Sequence, residues 1–127
     1  MNREKVIFAF FIVLALTLNF GFVLGEIDNV EHHDVFELFA ALVVSLICTV
    51  LKFGDRTHLG ALMLATSLVA DLQLIIAAAI WGYGEQMAAS GMTPKLMASV
   101  VSFAAGAMVA NVISAVLLVV ETALVRR

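Results

Sequence analysis

The chain has 127 residues, of which 63% are hydrophobic and 13% are charged, and its mean hydropathy is +1.09. A soluble domain is about half apolar and about a quarter charged, so this composition indicates a single-domain integral membrane protein with no separate catalytic module. The net charge of -3, without any basic stripe, argues against nucleic acid as a partner.

Four apolar stretches are each long enough to cross about 30 Å of hydrocarbon as a helix that rises about 1.5 Å per residue. The chain lacks the alternating pattern of membrane strands, so the spans are predicted to be helices. The first span has no small-x-small cleavage site after it and is expected to be retained. The predicted fold is therefore all-α, a bundle of four transmembrane helices at residues 6–25, 35–53, 59–83 and 96–120.

Six of the seven Lys and Arg residues lie on one side of the predicted membrane, and only Lys95 lies on the other. Loops rich in Lys and Arg stay in the cytoplasm, so both termini are expected there. Trp81 and Tyr83 would then lie at the outer interface, where amphipathic aromatic rings are enriched. The six basic residues are Arg3, Lys5, Lys52, Arg56, Arg126 and Arg127.

Local capping signals agree with these boundaries. Thr93 followed by Pro94 is typical of an N-cap and a first helical residue, and opens the fourth helix. Gly54 suits the end of the second helix, and Asp55 is predicted to cap the third.

Asp71 stands near the middle of the third span, in the stretch ATSLVADLQLIIAAA of residues 65–79. Ionisable side chains at this depth are rare and usually face the interior of a bundle or a water-filled path. Helical periodicity places Ser67 on the same face, and Leu68 and Leu72 on a face that should meet lipid. Asp71 is therefore predicted to point into protein.

Two interpretations of Asp71 remain open at this point. Because no Lys or Arg lies at its depth, its charge is left to a proton, an ion or water, which predicts a proton or cation site. The alternative is a protonated or hydrogen-bonded aspartate that only locks helices together. The candidate donors at similar depth are Asn19, Ser45, Ser102 and Asn111, with Ser67 and Gln73 nearby on the same helix.

The first loop, GEIDNVEHHDVFE of residues 25–37, carries five acids and two histidines but no basic residue. It is interpreted as an outer collar that attracts cations, or alternatively as a solvated loop whose acids cap a helix. If the second helix begins near Asp34, His33 and Glu37 share one face and form a weak metal site, although such sites usually need three or four ligands. The collar residues are Glu26, Asp28, Glu31, Asp34 and Glu37.

A stripe of small residues recurs every fourth position along the fourth helix. Small residues at this spacing allow helix backbones to approach closely in lipid, so the stripe is predicted to pack against another helix, within the subunit or between subunits. Asn111 lies beside the stripe and can bond across it. The stripe consists of Ala98, Ser102, Gly106, Ala110 and Ser114.

Three stretches, LTLNFGFVLGEIDN, EHHDVFELFAALV and LKFGDRTHLGALMLATSLVADLQL, resemble a family of short bacterial membrane proteins of unknown function. The resemblance covers most of residues 6–83 and is weaker after them. It implies a multi-pass protein of the bacterial inner membrane with four spans, and it implies no activity.

Together these features predict a small homo-oligomeric ion channel, or a cation or proton transporter, in contact with lipid. Cations would gather at the collar and meet a midplane site that consists of Asp71, Asn19, Ser67, Gln73 and Asn111. The alternatives are a non-conducting accessory or assembly subunit of a larger membrane complex, and an outer-face metal sensor. No enzyme activity and no cofactor are expected, because the membrane serines are far from any histidine and nucleotide-binding motifs are missing.

Overall fold

The structure is a computed structural model that describes residues 3–125, apart from the side chain of Val125. Within that range it contains four long helices and no strand. The helices are α1 Arg3–Val23, α2 Val35–Lys52, α3 His58–Gln86 and α4 Pro94–Val125. All four are long and apolar enough to cross a membrane, which confirms the prediction of an all-α bundle with four transmembrane helices.

The fourth helix is longer than the apolar stretch from which it was predicted. α4 continues past its predicted end at residue 120 to Val125, because the polar residues Glu121 and Thr122 extend the helix without breaking it. One turn of 3-10 helix, Val30–His32, lies in the loop between α1 and α2.

Two of the predicted caps form and one is displaced. Gly54 follows Phe53, the C-cap of α2, with a φ of 90°. The Thr93 hydroxyl accepts a hydrogen bond from the backbone N–H of Leu96 at 3.2 Å, as expected at the start of α4. At the start of α3, however, the N-cap is Thr57, whose hydroxyl accepts from the N–H of Gly60 at 2.9 Å. Asp55 acts one step earlier, because its carboxylate accepts from the N–H of Thr57 at 3.0 Å.

Consecutive helices pack antiparallel, and α4 packs back against α1, so the four helices close a bundle. We call the end with the start of α1, the end of α4 and the α2–α3 turn the terminal face, and the opposite end the loop face. An ion pair between Lys5 and Glu121 joins α1 to α4 at the terminal face. Trp81 is only 8% exposed and its ring packs on Phe22 inside the bundle, whereas Tyr83 is exposed. The position of both residues at the outer interface stays a prediction.

The apolar interior is divided into two clusters. The loop-side cluster consists of Phe22, Leu38, Ala41, Ala70, Leu74, Ala77, Trp81, Met97, Val100, Val101, Ala104, Ala107 and Ala110. The terminal-side cluster consists of Phe8, Ile12, Ala15, Val44, Cys48, Met63 and Leu118. Aromatic residues therefore occupy the interior on both sides of the middle of the bundle.

Candidate functional site

All four helices contribute buried polar side chains to the interior of the bundle, and we call this set of residues the polar layer. Every member of this polar layer is at most 5% exposed. The layer consists of Asn19 from α1, Ser45 and Thr49 from α2, Ser67 and Asp71 from α3, and Asn111 and Ser114 from α4. So many buried polar groups are unusual inside a bundle of membrane-spanning helices.

The face of α3 explains why Asp71 belongs to this layer. Ser67 and Asp71 are four residues apart and therefore lie one above the other on the same face. Both are buried, whereas Leu68, Leu72 and Ile75 on the other side of the helix are exposed on the outside of the bundle. Asp71 thus points into protein, as the periodicity predicts.

Asp71 is held by two hydroxyl groups from α2. The Ser45 hydroxyl donates to Oδ1 of Asp71 at 2.7 Å, and the Thr49 hydroxyl contacts Oδ2. The same Thr49 Oγ1 also lies 3.1 Å from the backbone carbonyl oxygen of Ser45. Ser45 was among the expected donors but Thr49 was not, although its spacing of four residues from Ser45 places both hydroxyls on one face of α2.

No basic side chain in the described part of the chain forms an ion pair with Asp71. The nearest one along α2 is Lys52, whose Nζ instead lies 3.4 Å from Oδ2 of Asp55 and 4.3 Å from the centre of the Phe8 ring. The hydrogen-bond partners of the Asp71 carboxyl group are therefore neutral hydroxyls.

The other polar side chains of the layer are buried but do not bond to Asp71. Across residues 3–125, the side-chain polar atoms of Asn19, Ser67, Asn111 and Ser114 are buried without a hydrogen-bond partner. A buried polar group without a partner costs about 1–3 kcal/mol. The structure thus brings Ser45 and Thr49 to Asp71. Three predicted site residues, Asn19, Ser67 and Asn111, are buried in the bundle without a bond to this triad.

Gln73, the remaining predicted site residue, lies elsewhere. It is half-buried, and its side chain covers Gly106 on α4, where an added Cβ would collide with Oε1 of Gln73. A residue two positions from Asp71 points about 200° away around a helix, since each residue turns it by about 100°. Gln73 therefore contributes to the contact between α3 and α4 and not to the site at Asp71.

The small-residue stripe of α4 faces the bundle over only part of its length. Ala110 and Ser114 are buried, Ala98 and Gly106 are half-buried, and Ser102 is exposed. The stripe therefore packs within the subunit at its middle and terminal-side end.

The predicted outer collar lies at the loop face, and its acids have different surroundings. Glu26, Asp28 and Glu31 are exposed. Asp34 caps α2 by accepting from the N–H of Phe36 at 2.9 Å, as the alternative interpretation expects. Glu37 is half-buried, and its carboxylate covers Gly21 on α1, where an added Cβ would lie 2.5 Å from Oε2. Attraction of cations by this loop stays a prediction.

His33 and Glu37 do not form the predicted metal pair. α2 begins at Val35, so His33 precedes the N-cap in extended conformation and does not share a helical face with Glu37. Both ring nitrogens face carbonyl oxygens, with Nδ1 2.5 Å from that of Phe22 and Nε2 2.7 Å from that of Glu26. A metal ligand must offer a free nitrogen lone pair, and no group of three potential ligands occurs among the described residues.

Comparison with known proteins shows the family but no function. No curated protein and no solved structure matches the chain. A family of unknown function, DUF6394, matches residues 32–122, which include all of α2 and α3 and most of α4. The match extends well beyond residue 83, after which the resemblance was expected to weaken. The chain therefore belongs to the DUF6394 family of unknown function.

Proposed function

We propose that the protein transports protons or small cations across the membrane, and that Asp71 is its ion site. The observation that supports this function is the buried polar layer, to which every helix contributes. Ionisable and unpartnered polar groups are unfavourable in the middle of a membrane protein, and where they occur they usually belong to an ion or proton path. A purely structural bundle would be more stable with apolar residues at these positions.

The burial of Asp71 favours transport through each protomer over a pore between protomers. Asp71 is 5% exposed within a single chain and bonds to α2 of that chain. A ring of Asp71 side chains around an oligomer axis would require each carboxyl group to leave its hydroxyl partners. In the proposed homo-oligomer, every protomer therefore carries its own site.

The two apolar clusters support this proposal, because a transporter in its closed state must keep water away from its site. Phe22 and Trp81 separate the polar layer from the loop face, and Phe8 separates it from the terminal face. A cleft of about 390 Å³ at the terminal face reaches Phe8 and is lined by Lys5, Lys52 and other residues of α1 and α2. Transport requires that one side open at a time, so that water reaches the layer alternately from each face.

The proposed direction of insertion rests on the distribution of charge. The basic residues Arg3, Lys5, Lys52 and Arg56 lie at the terminal face, which we assign to the cytoplasm of a bacterial inner membrane. The acidic loop then faces outward, where its field raises the local concentration of cations.

Flux measurements on proteoliposomes test the proposal. Purified wild-type protein, Asp71→Asn and the control Glu85→Gln are compared under imposed gradients of protons, sodium and potassium. Glu85 is an exposed acid on the same helix, so its variant makes the same chemical change outside the layer. We expect flux in the wild type and the control and at least a tenfold loss in Asp71→Asn, because the ion-binding group is removed. Wild-type liposomes no leakier than empty ones would refute transport.

A second candidate function, an accessory or assembly subunit, is favoured by one observation. The bonds of Asp71 to Ser45 and Thr49 join α2 to α3 and would lock these helices without any transport. This function predicts that the wild type conducts no ion, that Asp71→Asn lowers stability, and that the protein co-purifies with a larger membrane protein.

A further inference from the structure

We propose that the ion at Asp71 is a proton, held on Oδ2 as a neutral carboxylic acid that donates to the Thr49 hydroxyl. This inference rests on the proposed function and names the transported species. It follows from counting the hydrogens that the contacts of Asp71 require.

Three contacts join Asp71, Ser45 and Thr49. Ser45 Oγ lies 2.7 Å from Oδ1, Thr49 Oγ1 contacts Oδ2, and Thr49 Oγ1 lies 3.1 Å from the carbonyl oxygen of Ser45. Each hydroxyl supplies one hydrogen, whereas an ionised carboxylate and a carbonyl supply none. The two hydroxyls can therefore make only two of the three contacts into hydrogen bonds.

A proton on Oδ2 supplies the missing hydrogen. Asp71 then donates to Thr49 Oγ1, Thr49 donates to the carbonyl of Ser45, and the Ser45 hydroxyl donates to Oδ1. All three contacts become hydrogen bonds, and no net charge is buried. An ionised Asp71 would instead place a negative charge in the interior with only neutral partners, which is strongly unfavourable.

The same geometry disfavours a metal cation at this position. Hard cations bind through several oxygen ligands at once, whereas each carboxyl oxygen of Asp71 already has a hydroxyl partner. A bound cation would have to displace at least one of these hydroxyls. A proton fits the contacts as they stand.

When Asp71 releases its proton, rotation of the Thr49 hydroxyl restores a hydrogen bond to the carboxylate. When the layer opens to water, the proton leaves Oδ2 for a water molecule, and Asp71 becomes a carboxylate. The Thr49 hydroxyl then turns its hydrogen from the carbonyl of Ser45 to Oδ2, so the carboxylate accepts from both hydroxyls. Thr49 is therefore a positioning residue that serves both protonation states, as an acceptor in one and as a donor in the other.

Infrared spectroscopy of the reconstituted protein at neutral pH tests the protonated state without any transport. We expect the carbonyl stretch of a protonated carboxylic acid in the wild type, which Asp71→Asn abolishes. Thr49→Val removes the acceptor and should shift this band, whereas Thr49→Ser retains the hydroxyl and should leave it in place. Thr66→Val is the matched control, because the Thr66 hydroxyl bonds only within α3, to the carbonyl of Met63 at 3.0 Å.

Proton flux under a pH gradient, with sodium and potassium flux as separate arms, completes the test. Thr49→Val should slow proton flux about tenfold, the effect of losing one hydrogen bond of about 1.4 kcal/mol. Thr49→Ser should recover most of the flux that Thr49→Val loses, and Thr66→Val should conduct like the wild type. A wild type without an Asp71-dependent acid band, or one that carries sodium or potassium but no protons, would overturn this inference and leave ion transport standing. The acid band without flux of any ion would refute the proposed function and support the protonated site.

Discussion

Replacement of His33 by phenylalanine should destabilise the bundle, because the imidazole of His33 bonds to the end of α1. Its Nδ1 lies 2.5 Å from the carbonyl oxygen of Phe22, in the last turn of α1, where backbone carbonyls lack helical partners. Its ring also packs on that of Phe22, with 5.5 Å between the ring centres. Phenylalanine keeps a ring of similar size but has no N–H. The substitution therefore removes the hydrogen bonds of His33 while it keeps the ring packing.

The expected magnitude follows from the burial of the two carbonyl groups. Phe22 is fully buried, so its carbonyl cannot regain a partner from water, and such a group costs about 1–3 kcal/mol. Glu26 is exposed, and its carbonyl can bond to water at little cost. We therefore expect His33→Phe to lower the free energy of unfolding by about 2 kcal/mol, or about 30-fold in the unfolding equilibrium constant.

Denaturant unfolding in detergent micelles measures this loss, with His58→Phe as the control. His58 is exposed in the first turn of α3, so its variant should unfold like the wild type. Equal stability of His33→Phe and wild type would refute the capping role of His33. A loss of the same size in His58→Phe would show that the aromatic substitution itself is harmful.

Three further predictions concern charged or titratable groups. Lys5→Met alone should destabilise the protein by about 3 kcal/mol, because it leaves Glu121 buried without its cation; the double variant with Glu121→Met should recover most of this loss in the same unfolding assay. Hydrogen bonds from the Thr57 hydroxyl and N–H lower the pKa of Asp55 below its usual 3.8, so this carboxylate stabilises the folded state at neutral pH and that contribution is lost as the pH falls below about 4. Asp55→Asn should therefore flatten the acid limb of the stability profile, and an unchanged limb would contradict the assignment. Calorimetry should show the same zinc binding, or the same lack of it, in the wild type and in His33→Ala. The reason is that both ring nitrogens of His33 already face carbonyl oxygens.

The sequence predicts the architecture and the burial of Asp71 well, because both depend on local patterns. Apolar length determines which segments can span a membrane, and the period of a helix determines which residues accompany Asp71 on its face. The same reasoning identifies Ser45, Asn19 and Asn111 as polar residues of matching depth. It cannot say which of them bond to Asp71, since that depends on the rotation of each helix about its own axis.

The residues that sequence reasoning misplaced depend on contacts distant in the chain. Thr49 is easily overlooked because threonine in a membrane helix often bonds only to its own backbone. The path of the loop before His33 is set by the end of α1. The predicted pairing of His33 with Glu37 on one helical face is wrong, because α2 begins only at Val35. The ring contact of Trp81 with Phe22 likewise depends on another helix and has no local signal in the sequence.

The helix contacts indicate which interface can respond to protonation of Asp71. α3 and α4 share the most extensive interface, and their backbones approach so closely that side chains lie directly over Gly84 and Gly106. The interface between α2 and α3 is less extensive and contains the hydrogen bonds of Asp71. In the proposed mechanism, loss of the proton makes Asp71 negatively charged and removes its O–H donor, and both changes occur at the interface between α2 and α3. Opening of the polar layer is therefore expected to begin with movement of α2 away from α3, while α3 and α4 stay together as one unit.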